Sequence, residues 1–319
     1  MRSKNKEELI SQILFWKKKR QALILAHNYQ IPEIQDLADF VGDSLELSQK
    51  AAQTESKLII FCGVHFMAET ASILSPDKKV LIPDLEAGCS LASMIDAEML
   101  RQWKKNYPKA VVVSYVNTSA EVKAESDYCC TSTNAVQVVN SIPVNRQILF
   151  VPDMFLGDYV AKVTGRKNMI IYPGECHVHA KVKPADINKK MSQYPKAEFL
   201  IHPECGCVSS CMHFAANGDI PNVKTHILST GGMMKYTKKS KSNEFVIATE
   251  TGILHRLKKE NPKKSFIPVR DDLVCRFMKM ITLPKLLNSL KNLEYEVKVP
   301  KKIADRARIP IERMLEISN

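Results

Sequence analysis

Three cysteines stand in matching contexts along this 319-residue chain. Cys89 closes KKVLIPDLEAGC, Cys176 closes KNMIIYPGEC, and Cys275 closes KKSFIPVRDDLVC. Each time a basic pair or near-pair leads into a short apolar run, a proline stops the run, and a thiol follows. Such a run suits a buried strand. One cysteine in this context is ordinary core, but three indicate an internal repeat. Thiols so far apart cannot form a local zinc knuckle of the CxxC kind. They can converge only if three units pack around a shared axis. A 4Fe–4S cluster bound by three thiolates would then keep one iron free of protein ligands, available as a Lewis acid toward a hydroxyl or carboxylate. Zinc with three thiolates and an open position is the competing metal.

Other chemistry-bearing residues keep the same register. His27 to Tyr115 is 88 positions (115 − 27) and Tyr115 to His202 is 87 (202 − 115). Ser44, Ser132 and Thr230 precede the three cysteines by 45, 44 and 45 positions (89 − 44, 176 − 132, 275 − 230). One interval departs: His27 to Ser44 and Tyr115 to Ser132 are both 17, whereas His202 to Thr230 is 28. The third unit therefore carries an insertion of 11 (28 − 17), in a region that holds Cys205, Cys207 and Cys211 beside His213.

The elements that must position these residues can be read backwards from each cysteine. Four strand segments are expected per unit: ALILAHNY, DFVGDS, KLIIFCG and KVLIPD, then AVVVSYVN, DYCCTS, QILFVPD and NMIIYPG, then EFLIHPE, THILST, EFVIAT and KSFIPV. Helical periodicity separates them, as in LELSQKAAQ, FLGDYVAKV and GILHRLKKE. This alternation predicts α/β architecture: three homologous αβα domains with short parallel sheets, in pseudo-threefold arrangement around a central site. The expected domains are 1–88, 89–175 and 176–275, with a helical tail over 276–319 packing back on the first. Ligands of open parallel sheets bind beyond the carboxyl ends of the strands. First strands end in His27-Asn28-Tyr29, Tyr115-Val116-Asn117 and His202-Pro203-Glu204; second strands run into Ser44, Ser132 and Thr230 at helix starts. Free N–H groups at such starts favour phosphate or carboxylate, while His27, Tyr29, Tyr115, His179, His202 and Glu204 offer acid and base groups and hydrogen-bond donors.

Composition narrows the class. Nine cysteines, an N-terminal helix whose apolar stretch is too short for a signal peptide, and the lack of any run near membrane-span length point to the cytoplasm. The net charge of +12 is spread over helix ends without aromatic interleaving, which favours anionic substrates over nucleic acid. A radical enzyme using S-adenosylmethionine lacks its CxxxCxxC motif here.

At these residues the chain resembles quinolinate synthase. The stretches that carry the likeness are HNYQ, GDSL, AGCSLA, SYVNT, CCTSTNA, PGECHVH, HPEC and the pair Ser229-Thr230, running from near residue 20 to Cys275. The resemblance implies condensation of iminoaspartate with dihydroxyacetone phosphate to quinolinate, with loss of phosphate and two waters, in de novo NAD synthesis. It implies Cys89, Cys176 and Cys275 as ligands of one 4Fe–4S cluster. Substrate contacts would be His27, Ser44, Tyr115, Val116, Asn117, Ser132, His202, Pro203, Glu204 and Thr230, with Tyr29, His179 and Glu204 moving protons. Supply of iminoaspartate implies coupling to L-aspartate oxidase. Cys275 stands alone in VCRFMKM, where some members carry CxxCxxC, so a thiol switch there is not expected. Two other readings remain open: an iron–sulfur or zinc hydro-lyase on another small anion, and a thiol- or metal-sensing protein using CGCVSSC.

Overall fold

The computed structural model describes residues 2–217 and 225–317, with side chains from residue 5 and, in the helix ending at 217, as far as Met212. All twelve expected strands are present, and helix and strand alternate in the same sequence three times. The first round runs α1 (Arg2–Arg20), β1 (Ala22–His27), α2 (Pro32–Leu37), β2 (Phe40–Gly42), α3 (Ser44–Gln53), β3 (Leu58–Cys62), α4 (His65–Leu74) and β4 (Lys79–Leu81). The second runs α5 (Ala97–Lys105), β5 (Val111–Tyr115), α6 (Ala120–Ala124), β6 (Tyr128–Cys130), α7 (Ala135–Ser141), β7 (Ile148–Val151), α8 (Met154–Thr164) and β8 (Met169–Ile171). The third runs α9 (Pro184–Gln193), β9 (Glu198–Ile201), α10 (Val208–Asn217), β10 (Thr225–Ile227), α11 (Thr230–Lys239), β11 (Glu244–Ala248), α12 (Ile253–Glu260) and β12 (Ser265–Pro268). The tail adds α13 (Leu283–Asn292) and α14 (Lys301–Ile317).

Each round forms its own four-stranded parallel sheet, and the strand order is the same in all three: β2-β1-β3-β4, β6-β5-β7-β8 and β10-β9-β11-β12. Even the register repeats. Ala26 pairs with Cys62, Ser114 with Val151, and Ile201 with Ala248. Parallel sheets covered by helices on both faces bury both sides of a strand, so their central strands read as continuous apolar runs. Every residue of β3, β5, β7 and β9 is buried, and each full burial of a Val, Leu, Ile or Phe side chain contributes about 1.5–3 kcal/mol.

The third unit's extra residues lie between β9 and β10, where α10 spans 10 residues against six for α2 and five for α6. The tail divides. α13 lies along α1 and touches β3, and Tyr295 extends that attachment by accepting the Ile82 N–H at 3.1 Å. α14 instead packs on α6 and β6, with smaller contacts to α4 and α7. Its buried face comprises Ala307, Pro310, Ile311 and Met314.

Candidate active site

The fourth strand of each sheet is followed by the same loop. Two residues before each cysteine, a carbonyl accepts a backbone N–H from just beyond the third strand: His65 N to Ala87 O at 2.8 Å, Met154 N to Gly174 O at 2.8 Å, Thr251 N to Leu273 O at 2.9 Å. Past the cysteine the chain turns into a short 3-10 helix, at Ala92–Met94, His179–Lys181 and Met278–Met280. That turn aims two N–H groups at the sulfur: Leu91 and Ala92 at Cys89, Val178 and His179 at Cys176, Phe277 and Met278 at Cys275. N–H donors on sulfur stabilise a thiolate and tune a cluster bound to it. The three loops also touch one another. Ser90 Oγ lies 2.6 Å from His177 Nδ1, and the His177 and Phe277 rings meet edge to face at 5.8 Å.

All three cysteines line one cavity. Burial pushes the Cys89 thiol up to about 12 and raises Cys176 and Cys275 as well, so each is neutral until a metal displaces its proton. Half-buried thiols from three separate strands, each with a pair of N–H groups on its sulfur and apolar walls from Val64, Phe66 and Met67, fit a three-thiolate cluster.

The cavity's other wall is an acid–base chain. Glu204, fully enclosed two residues past His202, receives the Tyr115 hydroxyl on Oε1 and lies 2.9 Å from His179 Nδ1 through Oε2. Burial alone would raise its carboxyl, but the flanking His179 and His202 imidazoles and the hydrogen bonds from His179 and Tyr115 outweigh that and hold it down at about 2. A carboxylate at Nδ1 fixes the histidine tautomer, leaving Nε2 as an acceptor. Nε2 meets Thr249 Oγ1 at 2.8 Å, and Thr249 Oγ1 meets the Tyr29 hydroxyl at 2.5 Å. The sequence Tyr29–Thr249–His179–Glu204 is thus a continuous relay. Burial and the Glu204 charge raise the Tyr29 phenol well above 10, so it enters the chain protonated. His202 stacks on His179 at 4.6 Å. Burial pushes both His27 and His202 down to about 3, which makes them neutral hydrogen-bonding groups.

A polar ring completes the wall. Ser44 is the first residue of α3, whose Asp43 cap forms a capping box with Glu46. Thr230 is the first residue of α11, behind the Ser229 cap. Ser132 differs from the expectation: it lies two positions before Asn134, the cap of α7, and pairs with His202 Nε2 at 3.3 Å. The second-strand ends of all three sheets meet where Thr133 Oγ1 lies 2.8 Å from both Asp43 Oδ2 and Ser229 Oγ. Asn117 lines the cavity, and its buried Oδ1 has no hydrogen-bond partner among the described residues. Val116 and Pro203 are buried in the strand-end turns and do not line it.

Reading strand ends one, two and four locates most of this wall. Thr249 and Glu250 follow a third strand, β11, and escape that reading; the same rim rule applied to third strands finds them. Cys205, Cys207 and Cys211 are buried behind the site, and the Cys207 and Cys211 thiols are pushed up by hydrogen bonding within the group and by burial. Burial and a raised thiol both lower the reactivity of Cys207 and Cys211. The His213 side chain lies outside the described residues. Among the described residues, one compact ligand set shares a thiol with the trio Cys89, Cys176 and Cys275: Cys176, His179 and Glu204 hold their ligand atoms within 4.8 Å of one another.

Fold and site together define a class: an α/β protein of three αβα units whose strand-end loops bring thiols and an acid–base relay into one cavity, the layout of a metal-dependent enzyme. The family model NadA, quinolinate synthetase A protein, matches residues 11–316. A quinolinate synthase of Thermus thermophilus is 54% identical over 98% of this chain and 98% of its own. One from a Mycobacterium species is 53% identical over 98% and 92%, and that of Pyrobaculum aerophilum 51% over 97% and 100%. The chain belongs to the quinolinate synthetase A family, a family of iron–sulfur enzymes of NAD biosynthesis. Among the described residues no helix is long and apolar enough to cross a membrane.

Proposed function

We propose that this enzyme condenses iminoaspartate with dihydroxyacetone phosphate, releasing quinolinate, phosphate and two waters, and that Cys89, Cys176 and Cys275 hold one 4Fe–4S cluster. The convergence of three equivalent thiols with the Tyr29–Thr249–His179–Glu204 relay on a single cavity carries this reading. A zinc ion on Cys176, His179 and Glu204 is the lesser alternative, since it leaves Cys89 and Cys275 without a role and consumes the relay. When bound, a three-thiolate cluster supplies an iron without a protein ligand, able to polarise a substrate hydroxyl or carboxylate.

The chain's own residues supply the rest. Ser44 and Thr230, at helix starts with free N–H groups and positive dipole ends, hold phosphate or carboxylate with help from Ser132. Neutral His27 and His202 donate or accept hydrogen bonds without adding charge. Asn117 Oδ1 suits an N–H donor, which the imine nitrogen provides. Each loss of water needs a base to take a carbon-bound proton and an acid to protonate the departing hydroxyl. His179 Nε2 takes the carbon-bound proton and passes it through Thr249 to Tyr29, which gives its own phenolic proton to the departing hydroxyl. Glu204, kept as a carboxylate, holds His179 in the tautomer that can accept at Nε2. Working in the cytoplasm, the enzyme would draw its unstable imine from an L-aspartate-oxidising partner.

Protein purified without oxygen should carry about four iron and four sulfide per chain and form quinolinate from dihydroxyacetone phosphate and iminoaspartate generated in place. Zinc in their stead, or no quinolinate from loaded protein, overturns the proposal.

A further inference from the structure

Glu250 follows β11, and none of it is exposed. Its Oε1 accepts the backbone N–H of Cys275 at 3.1 Å and lies 2.8 Å from Lys279 Nζ. Oε2 accepts the Gly252 N–H at 2.7 Å. Lys279, four residues past Cys275, donates in turn to the backbone carbonyl of Tyr29. A fully desolvated carboxylate is costly unless its oxygens are satisfied, and here an ammonium and two N–H groups do so. The packing leaves no slack. A Cβ on Gly252 would stand 2.8 Å from Glu250 Oε2, from Lys279 Nζ and from the Tyr29 carbonyl carbon.

The other two units lack this device. The shared loop anchor starts at His65, Met154 and Thr251, so the counterparts of Glu250 are Val64 and Asp153. Valine has no charge, and the Asp153 Oδ1 caps its own helix by accepting the Leu156 N–H at 2.7 Å. The first cysteine loop has an ion pair of its own, Asp84 with Lys285 of α13, but among the described residues only the third has a carboxylate on its cysteine's backbone N–H, and that tie ends on Tyr29 of the first unit.

We infer that Glu250 and Lys279 are a positioning pair that holds the Cys275 loop and the Tyr29 backbone as one body, fixing the separation between the third metal-binding thiol and the acid–base phenol. The inference rests on the proposed roles of Cys275 and Tyr29. It is tested with Glu250→Gln, Lys279→Met, the double variant and Gly252→Ala, each purified without oxygen and compared at equal iron content. Both single variants should lose roughly 10- to 100-fold in kcat with KM little changed, and the double should lose no more than the worse single, because the two groups act as a unit. Unchanged kcat per loaded chain, or losses that multiply, overturns the pairing. Should Glu250→Gln not fold, Gly252→Ala keeps both charges and inserts only a methyl; parent-like kcat in that variant also overturns it. Hydrogen–deuterium exchange gives a readout independent of the reaction. Lys279→Met should raise exchange at 273–277, and Glu250→Gln should raise it at 28–31, a segment whose tie to Glu250 runs through Lys279. Exchange unchanged at both sites refutes the coupling even if the parent makes no quinolinate, an outcome that would refute the function reading instead.

Discussion

Tyr29 and His179 are 150 positions apart, and both bond to the same threonine oxygen, Thr249 Oγ1, at 2.5 and 2.8 Å. The phenol follows β1 of the first sheet, the imidazole lies in the loop after β8 of the second, and the threonine follows β11 of the third. A proton passing between them therefore crosses all three repeats.

Replacing Thr249 with valine keeps the shape and removes the bridging hydroxyl. Tyr29 then reaches His179 only through the longer 3.3 Å contact. We expect kcat to fall roughly 10²-fold, within the range for general acid–base catalysis, with iron content unchanged. Parent-like turnover in Thr249→Val takes the threonine out of the relay.

Cys89→Ala, Cys176→Ala and Cys275→Ala should each abolish cluster retention, read as iron and acid-labile sulfide per chain. Cys207→Ala should retain the cluster, since its thiol faces Cys205 and Cys211. Retention in Cys275→Ala with loss in Cys207→Ala would move the third ligand to the inserted segment.

The two low histidines predict the acid limb of stability. His27 and His202 fall from 6.5 to about 3 in the folded chain. Between these values the unfolded chain binds more protons, so stability rises with pH there. The contribution is fully present above 6.5 and is lost as pH falls from 6.5 toward 3. Thermal unfolding of His27→Gln across this window should show a shallower pH slope than the parent; an equal slope removes His27 from the account.

Gly231 allows α11 to approach the cap of α3. A Cβ there would lie 2.5 Å from Asp43 Oδ2, an atom that also accepts from Thr133. Gly231→Ala should destabilise by about 1–3 kcal/mol, the usual cost of overpacking, measured by denaturant unfolding. A midpoint equal to the parent's means that the cap can swing away freely.

Much of the fold was legible because it is repeated and locally encoded. Leu58–Cys62, Val111–Tyr115 and Glu198–Ile201 announce themselves as apolar runs, since a central parallel strand is buried on both faces. The 88- and 87-residue spacings then align units whose side chains differ. The rim rule placed His27, Tyr115, His202 and the three cysteines correctly on one cavity. It could not show that Val116 and Pro203 stay out of the cavity lining, because successive residues in a turn face different ways. Nor did the apolar face of α14 reveal that it rests on α6 and β6.

Sequence by itself determined the strands, the threefold repetition, the family and the thiols, because propensity, hydrophobic period and spacing are properties of neighbouring residues. Tertiary structure alone decided which rim groups touch. The bonds from Tyr29 to Thr249, from Tyr115 to Glu204, from Thr133 to Asp43 and from Lys279 to Tyr29 join residues 220, 89, 90 and 250 positions apart. No local pattern encodes such pairs. They exist because three separately coded units bury their faces against one another, and that packing sets every distance across the cavity.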